Sequence, residues 1–411
     1  MAVQDGYGKV SGSESLVFAF DLKDTINSYR GEPATNSQNG DISAMTQSGF
    51  DSWSCYDGAP PYHTWGTNQS KTFVTIPGPF GTSVNAMLYH NFNGGFYGPT
   101  DWGAVPNGTI TAGRTYTVQG WVRAADSASI GKQVSPYTYY SHSSGAYSNG
   151  TSYTLTDQWQ LVSHTHTVQY NATSGGIMYF FTQNSGEVKM YLTMTGVFLD
   201  KSHSVPWIIG GSSRSSTQGL LDLTTNSTVN ISGVSFNSSA VMTFDGSDDK
   251  IDIVPPNTVN VNTGTTIVAI IRKTSTGYTN QKNIISYRNG TSGGALYIGS
   301  NSGSIFTYYD SLNTPYYTVG AIPDNQYVHI VVRINNNGSI SHFSNGVLAG
   351  TTPVRTGFNN APNNKITIGN DASTNEFFQG DIAVFKHYNT QLSDTEILND
   401  YLKYKRQYGL T

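Results

Sequence analysis

The feature that most constrains this chain is a series of short apolar–polar alternations broken by Asn-Gly pairs. In Tyr327–Ile334 (YVHIVVRI), Val328, Ile330, Val332 and Ile334 fall on one face of an extended strand, because successive strand side chains point to opposite sides. The segment that follows, INNNGSISHFSNGVLAG, carries Asn337-Gly338 and Asn345-Gly346. A type I′ turn needs positive φ at both central residues, so each pair predicts a hairpin. Thr266–Arg272 (TIVAIIR) is apolar on both faces and reads as a central strand. Further strands are expected at Val241–Phe244, Ile251–Val254, Asn283–Tyr287, Ile305–Tyr309 and Lys365–Gly369.

The same period recurs earlier. Tyr116, Val118, Gly120 and Val122 oppose Thr117, Gln119 and Trp121; Val188, Met190, Leu192 and Met194 oppose Lys189, Tyr191 and Thr193. Trp159 and Leu161 share a face opposite Gln158, Gln160 and His164, and the histidine face is read as the polar outside of a sheet. Half-buried strands of this kind form antiparallel sandwiches. One helix is expected, near the C-terminus. Ser393-Asp394-Thr395-Glu396 forms a capping box, Ile397, Leu398, Tyr401, Leu402 and Tyr408 recur at helical spacing, and Gly409 stops the helix. Its apolar stripe predicts packing on a sheet.

A chain of 411 residues exceeds what one core usually organises, so two domains are expected. Charged residues make up 12%, against a typical ~25%, so the surface is polar through Ser, Thr, Asn, Gly and Tyr. A net charge of −4 excludes a basic surplus for nucleic acid. No run approaches the ~18 apolar residues of a membrane span, so no membrane insertion is expected. The N-terminus MAVQDGYGKVSGSES has no Sec-type pattern, and Cys55 has no internal disulfide partner. Sequons such as Asn68 and Asn226 follow from the Asn, Ser and Thr richness. These traits suit a protein made in a host cytoplasm and released by lysis, as virion components are.

Phe244-Asp245-Gly246-Ser247-Asp248-Asp249-Lys250-Ile251 resembles the opening strand of laminin G-like, concanavalin A-like domains. Ser344-Asn345-Gly346 resembles their hairpin, and Ile366–Asn370, Phe378–Ala383 and Gln391–Tyr401 resemble their ending. Thr111–Ala124, Thr156–Ser163, the strand through Tyr191, and Val205–Gly210 resemble family 4/9-type carbohydrate-binding modules. Leu16–Leu22 (LVFAFDL) with Ser28-Tyr29 resembles the first strand of laminin G-like domains in phage virion proteins. In simpler relatives that strand runs on directly to a segment whose counterpart here is Asp222–Asn226.

The expected fold is therefore all-β: two jelly-roll sandwiches, concanavalin A-like and galactose-binding-like, with one short C-terminal helix. Residues 1–34 supply the first strand of the C-terminal sandwich, 35–210 form the carbohydrate-binding-module-like jelly roll as an insertion, and 211–411 form the concanavalin A-like sandwich. The stretch Val205–Gln218 is the expected boundary.

Catalysis is not expected. The E-x-D-x-E strand of sandwich-fold glucanases is absent, and Glu14, Glu32, Glu187, Glu376 and Glu396 are scattered. Gly290–Gly294 satisfies G-x-S-x-G but leads into a strand, so it reads as a hairpin. His164 and His166 are spaced for a metal but lack a third ligand. Asp245, Asp248, Asp249 and Asp381 offer hard oxygens for Ca²⁺, which many laminin G-like domains bind; turn caps and solvated carboxylates are the other reading. No cofactor is required.

Aromatic residues crowd a loop-rich stretch: Trp53, Tyr56, Tyr62, Trp65, Phe96, Tyr97 and Trp102. Sugar rings stack their C–H faces on aromatic rings, so Trp53, Trp65, Tyr97, Trp102 and the outward Trp121 are the candidate glycan-binding residues. Plugging a sandwich edge or forming a subunit contact, as in a homo-oligomer, is an equal reading. Trp159 and Trp207 are expected in the core. The leading expectation is a non-catalytic phage virion protein, a capsid decoration, head-fibre or tail-fibre component, binding host-surface or environmental glycans. A purely architectural clamp on other virion proteins and a polysaccharide depolymerase are the alternatives.

Overall fold

The computed structural model describes residues 15–25, 27–38, 41–47, 50, 54–56, 69–92, 94–105, 110–140, 146–148, 150–172, 176–208, 210, 212–237, 239–254, 264–274, 282–287, 296–301, 304–309, 317–354, 365–370 and 376–411. The chain forms two compact units: residues 1–33 with 215–411, and residues 34–214.

In the first unit, an eight-stranded sheet runs Ser235–Phe236, Met242–Asp245, Gln379–Tyr388, Thr265–Lys273, Tyr327–Ile334, Ile340–Ser344, Val347–Thr351. Leu16–Asp21 adds to the Met242–Asp245 edge of Gln379–Tyr388, with Phe20 opposite Phe385 and Asp21 opposite Val384. A seven-stranded sheet comprises Thr228–Ser232, Lys250–Val254, Ile366–Ile368, Lys282–Ser286, Leu296–Asn301, Ser304–Tyr309 and Tyr317–Ala321. Phe18, Phe20, Phe244, Ile267, Ala269, Ile271 and Phe385 from the first sheet share one core with Ile251, Ile253, Ile285, Ile366 and Ile368 from the second. Alternation sends Val268 and Ile270 to the opposite face, against the helix Asp394–Tyr408 and its flanks. That explains why Thr266–Arg272 is apolar on both faces.

The helix has the expected capping box and ends at Gly409 in the left-handed conformation, φ 63°. Its buried face differs from the expected stripe. Ile397, Asp400, Tyr401 and Tyr404 are buried, whereas Leu398 and Leu402 are exposed. Asp400 goes inward because Lys386, from the central strand beneath, pairs with it, with His329 Nε2 3.2 Å from its other oxygen. The Lys386 ammonium also sits 4.6 Å above the Tyr404 ring. A buried charge is tolerated here because it is paired and hydrogen-bonded.

The two Asn-Gly pairs behave differently. Asn345 and Gly346 both have positive φ, 49° and 77°, and join Ile340–Ser344 to Val347–Thr351 directly. At the other pair, only Gly338 is left-handed, and the loop spans Asn335–Ser339.

In the second unit, a five-stranded sheet runs Gln160–Thr167, Thr115–Ala124, Val188–Leu199, Ser83–Asn91, Gln69–Pro77. A six-stranded sheet runs Tyr153–Thr154, Gln133–Tyr140, Gly176–Ser185, Gly94–Val105, Ser54–Tyr56, with Ala146–Ser148 beside Gln133–Tyr140. Met87, Tyr89, Val118, Val122, Val162, Phe180, Met190 and Leu192 fill the core. Gly120 is required by close approach, since a Cβ there would lie 2.7 Å from Phe180 Cζ.

Candidate functional site

The inward set Val118, Val122, Val162 and Leu192 fixes what the five-stranded sheet presents on its outer face. Register places Trp121 between Leu161 and Thr193, and Arg123 beside Tyr191, which itself pairs with Leu88. The turn between Gln69–Pro77 and Ser83–Asn91 carries Phe80, 61% exposed, whose ring meets Trp121 edge-on at 5.3 Å and 75°. Trp159 donates its indole N–H to the Pro77 carbonyl at 2.9 Å. The Arg123 guanidinium lies 5.2 Å from the Trp159 ring and 4.9 Å from Tyr191. Its Nε is buried without a hydrogen-bond partner among the described residues, so stacking holds it.

A charged rim follows on the same face. Lys189 Nζ lies 2.8 Å from Glu187 and 3.5 Å from Asp126, and Glu187 also meets His90 Nε2. The bonds from Lys189 and His90 hold the Glu187 carboxyl below its ordinary range, and Glu187 in turn raises the Lys189 ammonium. Phe92, 44% exposed, packs on His90 with centroids 3.8 Å apart. The other end of the face is closed. Gln119 donates to the Val205 carbonyl at 2.6 Å and accepts from the Val205 N–H at 2.7 Å, while Thr117 donates to the Lys201 carbonyl at 2.6 Å. Trp121, Phe80, Trp159, Arg123 and Tyr191 thus form a half-open aromatic platform with polar ends. Apolar rings flanked by fixed donors and acceptors suit a saccharide better than a wholly apolar ligand.

Two expectations are corrected here. Trp159 and Trp207 are half-buried rather than core, and Trp207 donates to the buried Asp41 carboxylate at 2.9 Å. Burial raises the Asp41 carboxyl despite that bond and those from Ser43. His164 and His166 are not on the outer face: they pair with Val118 and Tyr116 and share the inward side of their strand. Burial lowers both imidazoles, and their rings lie 6.4 Å apart and nearly parallel.

Of the other aromatic candidates, Tyr97 and Trp102 lie on Gly94–Val105 in the six-stranded sheet, paired with Thr182 and Ile177. The structure therefore does not bring them onto the sheet that carries Trp121. Trp53, Tyr62, Trp65 and the Gly290–Gly294 motif lie outside the described residues.

In the first unit, Asp245, Asp248 and Asp249 place carboxylate oxygens within 4.8 Å of one another in the turn between Met242–Asp245 and Lys250–Val254. Asp249 accepts the Asp245 N–H at 2.7 Å, and Asp245 accepts the Ser247 N–H at 2.7 Å. Burial, and then the charges of Asp245 and Asp248, raise the Asp249 carboxyl. These oxygens suit a hard cation, and they also build the turn. Asp381 is separate from this cluster. It is 1% exposed, paired with Arg272, and accepts from Thr243 at 2.7 Å and Tyr327 at 3.2 Å.

Comparison with known proteins bears on both units. Residues 245–398 match the model of the concanavalin A-like lectin/glucanases superfamily, and residues 100–186 match that of a carbohydrate binding domain. No match was found among curated proteins. Among solved structures, the receptor binding domain of botulinum neurotoxin D is 18% identical, with 46% of this chain and 51% of that chain covered at a TM-score of 0.38. The botulinum neurotoxin serotype D ligand binding domain in complex with N-acetylneuraminic acid is 17% identical, with 46% and 49% covered at 0.38. The chain spans about half the length of these structures. The first family match lies within the unit of residues 1–33 and 215–411, and the second within the unit of residues 34–214.

Proposed function

We propose that this chain is a non-catalytic, glycan-binding structural protein of a bacteriophage particle: a capsid decoration, head-fibre or tail-fibre component. The observation that carries the glycan reading is the outer-face platform of Trp121, Phe80, Trp159, Arg123 and Tyr191, within the unit whose residues 100–186 match a carbohydrate binding domain. A shallow platform gives weak single contacts, and many copies on a particle would raise the avidity. The virion reading rests on the resemblance of Leu16–Leu22 and Ser28-Tyr29 to the first strand of phage laminin G-like domains, and on the low charge. Other virion proteins are then the expected partners, and the virion the expected location.

A second reading is favoured by one detail. Arg123 lies against both Trp159 and Tyr191, and Phe80 meets the edge of Trp121, so the platform also suits a protein partner as an architectural clamp. A glycan array probed with the full chain in multivalent form separates the two. Binding that falls in Trp121→Ala and Trp159→Ala supports the first reading; no binding at any density contradicts it. Gold-labelled antibody on purified particles tests the location, and absence of label from heads and tails would refute it.

A further inference from the structure

In the unit of residues 1–33 and 215–411, three segments meet around Asn283. On one side, Ile285 pairs with Ile368, and the Gly369 N–H donates to the Ile284 carbonyl at 2.8 Å. Asn370 follows directly, just past the strand Ile366–Ile368. On the other side, Asn283 bridges Phe377 in parallel and gives its N–H to the Glu376 carbonyl at 2.9 Å. The Phe378 N–H closes the junction on the Gly369 carbonyl at 2.8 Å. A register shift between Asn283 and Ile285 lets both Ile284 and Ile285 enter the core, and such a bulge re-aims the neighbouring side chain. Asn283, Asn370 and Glu376 thus belong to this hydrogen-bonded junction or adjoin it.

Two of these side chains carry an oxygen that accepts nothing. Asn283 is fully buried, and Asn370 is 7% exposed. Asn283 Nδ2 donates to Glu376 Oε2 at 2.6 Å, which fixes the orientation of that amide, because a carboxylate has no proton to give in return. The Asn283 Oδ1 therefore faces away from Glu376 Oε2, and no donor reaches it among the described residues. Asn370 Oδ1 is likewise buried with no donor among them. Buried acceptors are ordinarily satisfied, so two of them beside a carboxylate call for a bound group that supplies positive charge.

We propose that Asn283 Oδ1, Asn370 Oδ1 and the Glu376 carboxylate hold a Ca²⁺ ion, with water completing its shell. All three donors are hard oxygens, which suit Ca²⁺ rather than metals that prefer nitrogen or sulfur. Ca²⁺ also accepts an irregular set of oxygens, whereas Mg²⁺ demands near-ideal octahedral geometry. A single carboxylate gives modest affinity, on the order of 10⁻⁴–10⁻³ M. The ion ties the Asn283 strand to the segments on both sides, so its binding stabilises this unit. The site is distinct from the turn of Asp245, Asp248 and Asp249, where Asp249 and Asp245 accept N–H groups of the turn itself. It also stands independently of the aromatic platform and of the reading built on it.

Calorimetric titration of the chelator-treated full chain with calcium and magnesium chloride, with melts followed through the helix Asp394–Tyr408 of the same unit, tests the assignment. Ca²⁺ should bind and raise the helical midpoint, and Mg²⁺ should bind about tenfold more weakly or less well still. Glu376→Gln keeps an acceptor for Asn283 Nδ2 but removes the charge, and should weaken Ca²⁺ about tenfold or more. Asn370→Ala removes one of the two buried oxygens and should weaken it as well. Asp248→Asn, an exposed carboxylate of the other turn, should leave the affinity unchanged. Should Asn370→Ala fail to fold, Glu376→Gln decides alone, because Glu376 is only half-buried. Three results would each overturn the proposal: no Ca²⁺ binding at about 10 mM, as a buried water in the junction would give; parental affinity in folded Glu376→Gln or Asn370→Ala; or loss of binding in Asp248→Asn. Mg²⁺ bound as tightly as Ca²⁺ would overturn the choice of ion.

Discussion

Phe20 offers the sharpest test of where the first strand belongs. Its side chain is fully buried in the core of the unit that ends at Thr411, 6.1 Å from the Phe385 ring across the strand pair. Phe20→Ala should cost about 3–5 kcal/mol, the transfer term plus the cavity left behind. With a urea slope of about 2–3 kcal/mol/M for a unit of this size, the midpoint should fall by roughly 1–2 M. The chain carries its own reporters. All six tryptophans, at 53, 65, 102, 121, 159 and 207, lie within residues 34–214, whereas the helix Asp394–Tyr408 lies in the other unit. Tryptophan fluorescence therefore follows one core and helical circular dichroism at 222 nm chiefly the other. Phe20→Ala should lower the helical midpoint and leave the fluorescence midpoint in place. An unchanged helical midpoint would refute the placement of Leu16–Asp21, and an equal fall in both would refute two separate cores.

Two further predictions concern buried charge in the first unit. Burial pushes the Asp400 carboxyl up, but Lys386 and His329 outweigh it and hold the group well below the usual carboxylate range. That stability is present above the ordinary carboxylate pKa of about 4 and is lost as pH falls below it. Asp400→Asn strands the Lys386 ammonium and should cost about 3–5 kcal/mol in urea denaturation, with Lys386→Met/Asp400→Leu recovering most of it; a single variant as stable as the parent would contradict the pairing. Burial also pushes His387 down to about 3 and His342 down to about 4. The unfolded chain takes up those protons from about pH 6.5 downward while the folded chain does not, so stability should decline between about pH 6.5 and 4. His387→Gln, which retains an acceptor for the Tyr287 hydroxyl now 2.9 Å from His387 Nδ1, should reduce that slope, and an unchanged slope would exclude His387 as a source.

The elements legible in the sequence are those set by local chemistry. Ser393 and Glu396 mark the helix start because their reciprocal bonds need only three residues of spacing. Asn345-Gly346 marks a tight turn, and Thr266–Arg272 marks a strand covered on both faces, because each signal is carried by a few adjacent residues. Where distant segments decide burial, the sequence was ambiguous. Thr117 and Gln119 read as exposed, yet residues 201–208 cover them, and the Gln119 amide replaces a strand neighbour by bonding both ways to Val205. Alternation separated His164 and His166 from Leu161 correctly but could not say which set faced inward, since both mix polar and apolar atoms. Asp400 interrupts its helical stripe because Lys386, supplied from a separate strand, neutralises it. Phe80, Arg123, Trp159 and Tyr191 come together from four places in the chain, so only Trp121 of the platform stood out as a binding residue.

Trp121 and Trp159 lie at the centre of that platform. The measurement is calorimetric titration of the full chain with its strongest array glycan, for the parent, Trp121→Ala and Trp159→Ala, with thermal melts confirming that each variant stays folded. Binding about tenfold to hundredfold weaker is expected in both variants at unchanged melting behaviour. Parental affinity in two folded variants would contradict that expectation and move the glycan site off this face.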